Sequence, residues 1–262
     1  MSGGVTSLFP REHGAYGQVA FPLIAAFGVA GASTSGVLIA VTVIAAFLAH
    51  EPALVLLGYR GPRAKRELRS RASRWCVLSL LVALATAVGA ATTIEPGVRW
   101  SLTVPFVPAA FLFAALVKGK EKTWHGEVAT GLAFSAVAVP ITMSAGVPQP
   151  TAWAVVLPFA LLFVASTLAV RAVVVRVRGG GDPKAASLMR LAALCLVIGG
   201  AGALAGLEAA RLVPNALIAA APGLVTAGVI AVRPPSPVHL RTVGWTLVAV
   251  SALTTAIVVL AA

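Results

Sequence analysis

Long apolar stretches, separated by short polar or turn-forming breaks, dominate the chain. A stretch of roughly 20 residues, rising about 1.5 Å per residue as a helix, covers about 30 Å of hydrocarbon. Nine stretches of this kind lie near 15–34, 36–57, 74–94, 100–117, 124–145, 152–175, 187–210, 215–232 and 241–261. Between them fall Ser33-Thr34-Ser35, Glu95-Pro96-Gly97, Val147-Pro148-Gln149-Pro150 and Arg233-Pro234-Pro235-Ser236-Pro237. Alternating-polarity segments, the mark of an outer-membrane barrel, are absent. The pattern predicts an all-α, polytopic membrane helix bundle with nine transmembrane helices, forming a single transmembrane domain over 1–262.

Composition agrees with that reading and excludes others. Of 262 residues, 59% are hydrophobic and 11% charged, against about a quarter charged in an average globular chain. A soluble enzyme, a disulfide scaffold and a disordered chain are all set aside. The first stretch has some features of a cleaved signal, namely Arg11, an apolar run and the small residues Ala30-Gly31-Ala32. Glu12 and His13 in the would-be basic region and Pro22 in the apolar run argue against cleavage, so Met1 is the expected mature N-terminus. Cys76 and Cys195 lie inside apolar stretches without CxxC spacing and are expected to be buried, reduced thiols.

The charge is unbalanced, with 20 Lys+Arg against 8 Asp+Glu and a net charge of +12. With the N-terminus placed in the cytoplasm, every Lys and Arg falls on the inner side except Arg99 and Arg211. By the positive-inside rule the N-terminus is then in and the C-terminus out. Most of the basicity is therefore topological, and its natural partner is a lipid bilayer with anionic headgroups. The basic loops contain little aromatic material besides Tyr59, which argues against nucleic acid.

Eight acidic residues and four histidines are few enough to place one by one. Charges near hydrocarbon cost roughly 2.5–3.5 kcal/mol each on insertion scales, so those retained usually face the bundle interior or water. Glu12 and His13 open the first stretch. His50 and Glu51 sit near the inner end of the second, and Glu121, His125 and Glu127 cluster where the fifth begins. Arg171 lies about one turn inside the end of the sixth. All are on the predicted cytoplasmic side. Pro52 follows His50-Glu51 and frees a carbonyl one turn earlier, near Leu48, as in helices that line polar cavities.

The other ionisable residues read as ordinary. Glu67 is a solvated ion-pair partner in a basic loop, Glu95 is a surface residue, and Glu208 is placed to pair with Arg211. Asp182 ends a Gly179-Gly180-Gly181 run that lacks the Lys-Ser/Thr of a phosphate loop. His239 is interfacial. Gly202 and Gly206 permit close helix packing, within the chain or between chains.

Three uses fit the polar cluster. Imidazoles and carboxylates suit a divalent metal, although no specific metal motif such as HExxH is present. Arg171, with Lys118 and Lys122, suits the phosphate or carboxylate head of an amphipathic ligand. A His/Glu relay suits a proton- or cation-coupled transporter. Fixing of helix packing alone, in a non-catalytic partner protein, is the fourth alternative.

His13-Gly14 and His125-Gly126 each follow a basic-acidic stretch and lead into a proline-containing helix. This suggests parallel repeats over 10–117 and 122–232, with 241–261 as an extra helix. The segment Pro10-Arg11-Glu12-His13-Gly14-Ala15-Tyr16 resembles the signature that opens YwiC-like bacterial membrane proteins. The likeness continues through His50-Glu51-Pro52 and Trp124-His125-Gly126-Glu127. It implies a multi-pass protein of the bacterial inner (cytoplasmic) membrane and brings no established activity.

The nine-helix layout is also similar, more distantly, to UbiA-type intramembrane prenyltransferases. That likeness implies a UbiA-like bundle with magnesium and a prenyl diphosphate held near the inner ends of the second and sixth helices. Here His50-Glu51 stands where Asn-Asp-x-x-Asp is expected, and the sixth stretch offers Arg171 and no aspartate. In a divergent transferase, Glu51, Glu127 and His50 would be the catalytic candidates. Glu12, His13, Glu121, His125 and Arg171 would bind substrate, an isoprenoid or lipid-like, phosphorylated ligand.

Overall fold

A computed structural model describes residues 8–9, 13–177 and 182–262, apart from the side chains of His13, Val177 and Pro237. Ten α-helices follow in order. They are α1 (His13–Ala30), α2 (Thr34–Leu57), α3 (Pro62–Thr93), α4 (Thr103–Val117), α5 (Trp124–Ala136), α6 (Ala138–Ser144), α7 (Gln149–Val177), α8 (Pro183–Ala209), α9 (Ala216–Val232) and α10 (Leu240–Ala261). A 3-10 segment, Pro96–Leu102, leads into α4, and no strand occurs among the described residues.

Among the described residues, seven helical segments are long and apolar enough to cross a membrane: Thr34–Leu57, Pro62–Thr93, Pro96–Val117, Trp124–Ser144, Gln149–Arg176, Pro183–Ala209 and Leu240–Ala261. Gly14–Ala30 and Ala216–Val232 are shorter apolar helices. The chain is a multi-pass, all-helical membrane protein.

Two departures from the sequence pattern have physical causes. The third helix starts at Pro62 rather than near 74. Ala64, Leu68, Ala72 and Cys76 recur every four residues and are buried, so an amphipathic stripe carries the helix through the basic segment that hydropathy alone reads as loop. The fifth stretch is two helices rather than one, interrupted at Val137. Pro140 cannot donate a hydrogen bond to the carbonyl of Ala136, and the break falls there. Cys76 is buried as expected, whereas Cys195 is exposed on the side of α8.

The core is built around α7. Phe159, Leu162 and Val155 of that helix are fully buried, together with Ile141 and Val139 of α6. Around it, Leu23 of α1, Ile39 of α2 and Val258 of α10 join the same apolar cluster. In contrast, α4 buries no residue, and α8 shows Leu188, Leu191 and Ile198 on its outer side. In lipid the hydrophobic effect does not drive helix association, so polar pairs help fix register. Ser35 donates to Thr93 at 3.0 Å and Thr42 shares a 2.8 Å hydrogen bond with Thr86, tying α2 to α3. Ser33 meets Ser144 at 3.0 Å, tying the start of α2 to the end of α6.

Side-chain contacts set α2 against α3, α5 against α7, α8 against α9 and α9 against α10 in opposite directions, which gives the bundle two distinct ends. One gathers the start of α1, the α2–α3 turn, the 118–123 connection, and the α7–α8 and α9–α10 connections. Among the described residues, all the Lys and Arg belong to this end except Arg99 and Arg211, which lie at the other.

Candidate functional site

The polar candidates occupy the basic end, and three elements build their site. The first is the end of α2. Glu51 is 4% exposed, buried among apolar neighbours. Leaving a lone carboxylate there is expensive, and the chain supplies its own cation nine residues later. Gly58 closes α2 in a left-handed conformation, with φ +89°, and its N–H bonds the carbonyl of Val55 at 3.1 Å. That reversal brings Arg60 back along the helix it has just left. Its Nε donates to Glu51 Oε1 at 2.6 Å and its second guanidinium nitrogen to Oε2 at 2.5 Å, a two-pronged pair.

The second element is the 118–123 connection. Lys120 N bonds Ala115 O at 2.7 Å and Tyr59 Oη donates to Val117 O at 2.8 Å, which secures the end of α4. Thr123 caps α5, accepting from Gly126 N. Gly126 is needed for a different reason. A β-carbon at this position would run into the main-chain carbonyl of Glu121, so glycine lets the connection fold flat over the first turn of α5. Placed this way, Glu121 Oε2 lies 2.8 Å from His50 Nε2, linking the connection to α2.

The third element is the C-terminal end of α7. Arg171 donates through Nε and a terminal nitrogen to the two oxygens of Glu127, each at 2.7 Å. The same terminal nitrogen contacts the carbonyl of Lys122. Glu127 lies in the first turn of α5, where the positive end of the helix dipole also favours a carboxylate.

His50, Glu51, Arg60, Glu121, Glu127 and Arg171 therefore form a belt of two arginine–carboxylate pairs and one histidine–carboxylate hydrogen bond across α2, the α2–α3 turn, the 118–123 connection, α5 and α7. The sequence pointed to five of these six. Arg60 was missed as a site residue because it reads as one of many loop cations, and its return to Glu51 depends on the turn at Gly58. His125 is exposed and stacks on Trp124, with ring centroids 3.5 Å apart, and does not enter the belt. Glu12 and the side chain of His13 lie outside the described residues, as does the glycine run 179–181. Asp182 caps α8, accepting from Lys184 N at 2.9 Å.

One turn deeper, the belt is backed by rings. Tyr16 of α1 meets Phe47 of α2 edge to face at 5.2 Å, and Phe47 meets Phe134 of α5 at 5.8 Å. The depth of the belt follows from the α2–α3 register. The Ser35–Thr93 and Thr42–Thr86 pairs, extended along the two helices, bring Glu51 level with Val77. Outward-facing residues of α3 change from Arg71 and Arg74 to Trp75, Val77, Leu78 and Leu81 at that level. A Trp at such a change marks the lipid interface. Glu51 thus lies level with the point where the exposed side of α3 turns from cationic to apolar.

Among the described residues, no three His, Cys, Asp or Glu side chains come together as a metal site. The magnesium sites of the UbiA likeness do not fit these residues. No aspartate is present in the belt, and Glu51 and Glu127 each hold an arginine with both oxygens. Two shallow depressions lie at the opposite end. One is an open depression of about 320 Å³ lined by Pro150, Glu208, Arg211, Pro214 and Asn215. There Glu208 does not pair with Arg211. Its carboxylate accepts the N–H of Leu217 at 2.6 Å, closing the first turn of α9.

The family description YwiC-like protein matches residues 9–142. The chain belongs to the YwiC-like family. No curated protein and no solved structure matches it. The YwiC-like match spans α1 to α6 and contains His50, Glu51, Arg60, Glu121 and Glu127. Arg171, which completes the belt, comes from beyond it.

Proposed function

We propose that this YwiC-like protein binds an amphipathic ligand with an anionic head at the cytoplasmic end of a nine-pass, inner-membrane bundle. The N-terminus is inside and the C-terminus outside, with α1 and α9 counted as short passes. Segregation of the basic residues supports this orientation.

The observation that carries the reading is the setting of Arg171. Its guanidinium is partly buried and held in fork geometry by Glu127, at the basic end of the bundle rather than in its middle. A guanidinium so placed matches a phosphate or carboxylate head whose tail remains in lipid or between helices. Glu127 stands in for that head, and the ligand displaces it. Midplane depth is the usual place for a transporter's substrate. The Tyr16–Phe47–Phe134 rings and the apolar core around Phe159 also weigh against a polar path through the bundle.

A second reading has its own support. Each carboxylate in the belt already has a cation or imidazole partner, as it would if the belt served only to lock α2, α5 and α7 together. Mass spectrometry of amphiphiles retained by the wild type and by Arg171→Gln separates the two. Loss of a retained anionic amphiphile supports binding, and identical profiles support packing alone.

A further inference from the structure

The exposed face of α3 beyond the hydrocarbon carries a cationic surface that the belt does not use. From Trp75 to Thr93 the helix is lipid-facing and spans about 28 Å, close to the thickness of a bilayer core. The preceding turns, from Pro62 to Arg74, extend about 20 Å further at the same rise. Lys65, Arg66, Arg69, Arg71 and Arg74 are exposed on them. The single acidic residue there, Glu67, is taken by Arg63 at 2.7 Å. Ala64, Leu68 and Ala72 face inward and are buried, so the cations occupy the outer side by construction.

Arg71 and Arg74 are exposed beside Trp75, where the outer side of α3 turns apolar, and Arg66 and Arg69 follow within the next two turns. The geometry points to a binding surface for the phosphodiester heads of anionic phospholipids in the same leaflet. Arg66, Arg69, Arg71 and Arg74 supply the guanidinium groups. Helix tilt and the length of the arginine side chains bring all four within reach of those heads. A lipid surface suits the arrangement better than a discrete polyanion, because the cations spread around the free sides of one helix and converge on no pocket. This surface is independent of the Arg171 site, and failure of either leaves the other standing.

The test reconstitutes the full chain in nanodiscs containing phosphatidylcholine with a minor share of phosphatidylglycerol, and counts the phosphatidylglycerol retained after exchange into detergent. Each basic residue at an anionic leaflet contributes about a five-fold factor in affinity. The variant Arg66→Gln/Arg69→Gln/Arg71→Gln/Arg74→Gln should lose phosphatidylglycerol preference by at least about ten-fold after allowing for screening. The corresponding four-lysine variant should keep most of it. Arg99→Gln/Arg211→Gln, at the opposite end, should leave retention unchanged. Helicity by circular dichroism establishes that each variant is folded. The proposal is overturned if the folded four-glutamine variant retains as much phosphatidylglycerol as the wild type. It is equally overturned if the opposite-end variant loses as much, or if the wild type shows no preference.

Discussion

Gly126 lies directly against the main-chain carbonyl of Glu121, with no space for a β-carbon between them. The 118–123 connection and α5 are thereby pressed into one unit, and the links from Glu121 to His50 and from Lys122 to Arg171 depend on that closeness. A stiff backbone contact, rather than a flexible side-chain tip, stands in the way of any larger residue.

Gly126→Ala therefore forces the connection away from α5. Overpacking of this kind costs about 1–3 kcal/mol, and the unfolding temperature in detergent should fall by several degrees. Gly202→Ala and Gly206→Ala serve as controls. Neither position has a neighbouring atom within 4 Å of a built β-carbon, and alanine is the better helix former, so both should unfold at or slightly above the wild-type temperature. Equal losses at all three positions would show that the Glu121 contact is unimportant.

Removing Arg60 leaves the Glu51 carboxylate buried and unpaired. Arg60→Gln should destabilise by about 3 kcal/mol, the low end for a buried pair because Arg60 itself is partly exposed. Glu51→Gln/Arg60→Gln should recover a good part of that loss, since no charge then remains buried. Thermal unfolding of the two single variants and the double variant reads the coupling directly. Strict additivity would contradict the pairing.

The Thr42–Thr86 hydrogen bond joins α2 and α3 in an apolar setting, yet such bonds average only about 0.6 kcal/mol in membrane bundles. Thr42→Val should consequently be mild, well below the effect of Arg60→Gln. An effect as large would mean that register, and with it the depth assigned to Glu51, hangs on this one bond.

Orientation is open to thiol labelling. Cys76 is buried and Cys195 is exposed midway along the apolar α8; if α8 spans the bilayer, neither should react with a membrane-impermeant reagent. Gln149→Cys should be labelled in intact cells and Val238→Cys only after lysis. The reverse pattern would invert the topology.

The sequence shows the membrane character, the helical class and five of the six belt residues, because rare charges in an apolar chain stand out. It does not show Arg60, whose role depends on a left-handed turn at Gly58 that sends one cation among many back onto Glu51. The early start of α3 is hidden because hydropathy averages over a window, whereas Ala64, Leu68 and Ala72 act through a four-residue stripe. His125 clusters with Glu121 and Glu127 in the sequence but not in the fold. The helix begins at Trp124, so Glu121 lies outside it and shares no helical face with His125.

The central claim is that Glu127 holds the place of an anionic ligand on Arg171, and two substitutions should move binding in opposite directions. Mass spectrometry should quantify the anionic amphiphile copurifying with the wild type, Arg171→Gln and Glu127→Gln. A lost charge-assisted bidentate contact is worth about 1.5–3 kcal/mol, so Arg171→Gln should reduce retention by about ten-fold or more. Glu127→Gln removes the internal competitor and should raise it. Retention that is the same in all three proteins, or that falls equally in both variants, would contradict the account.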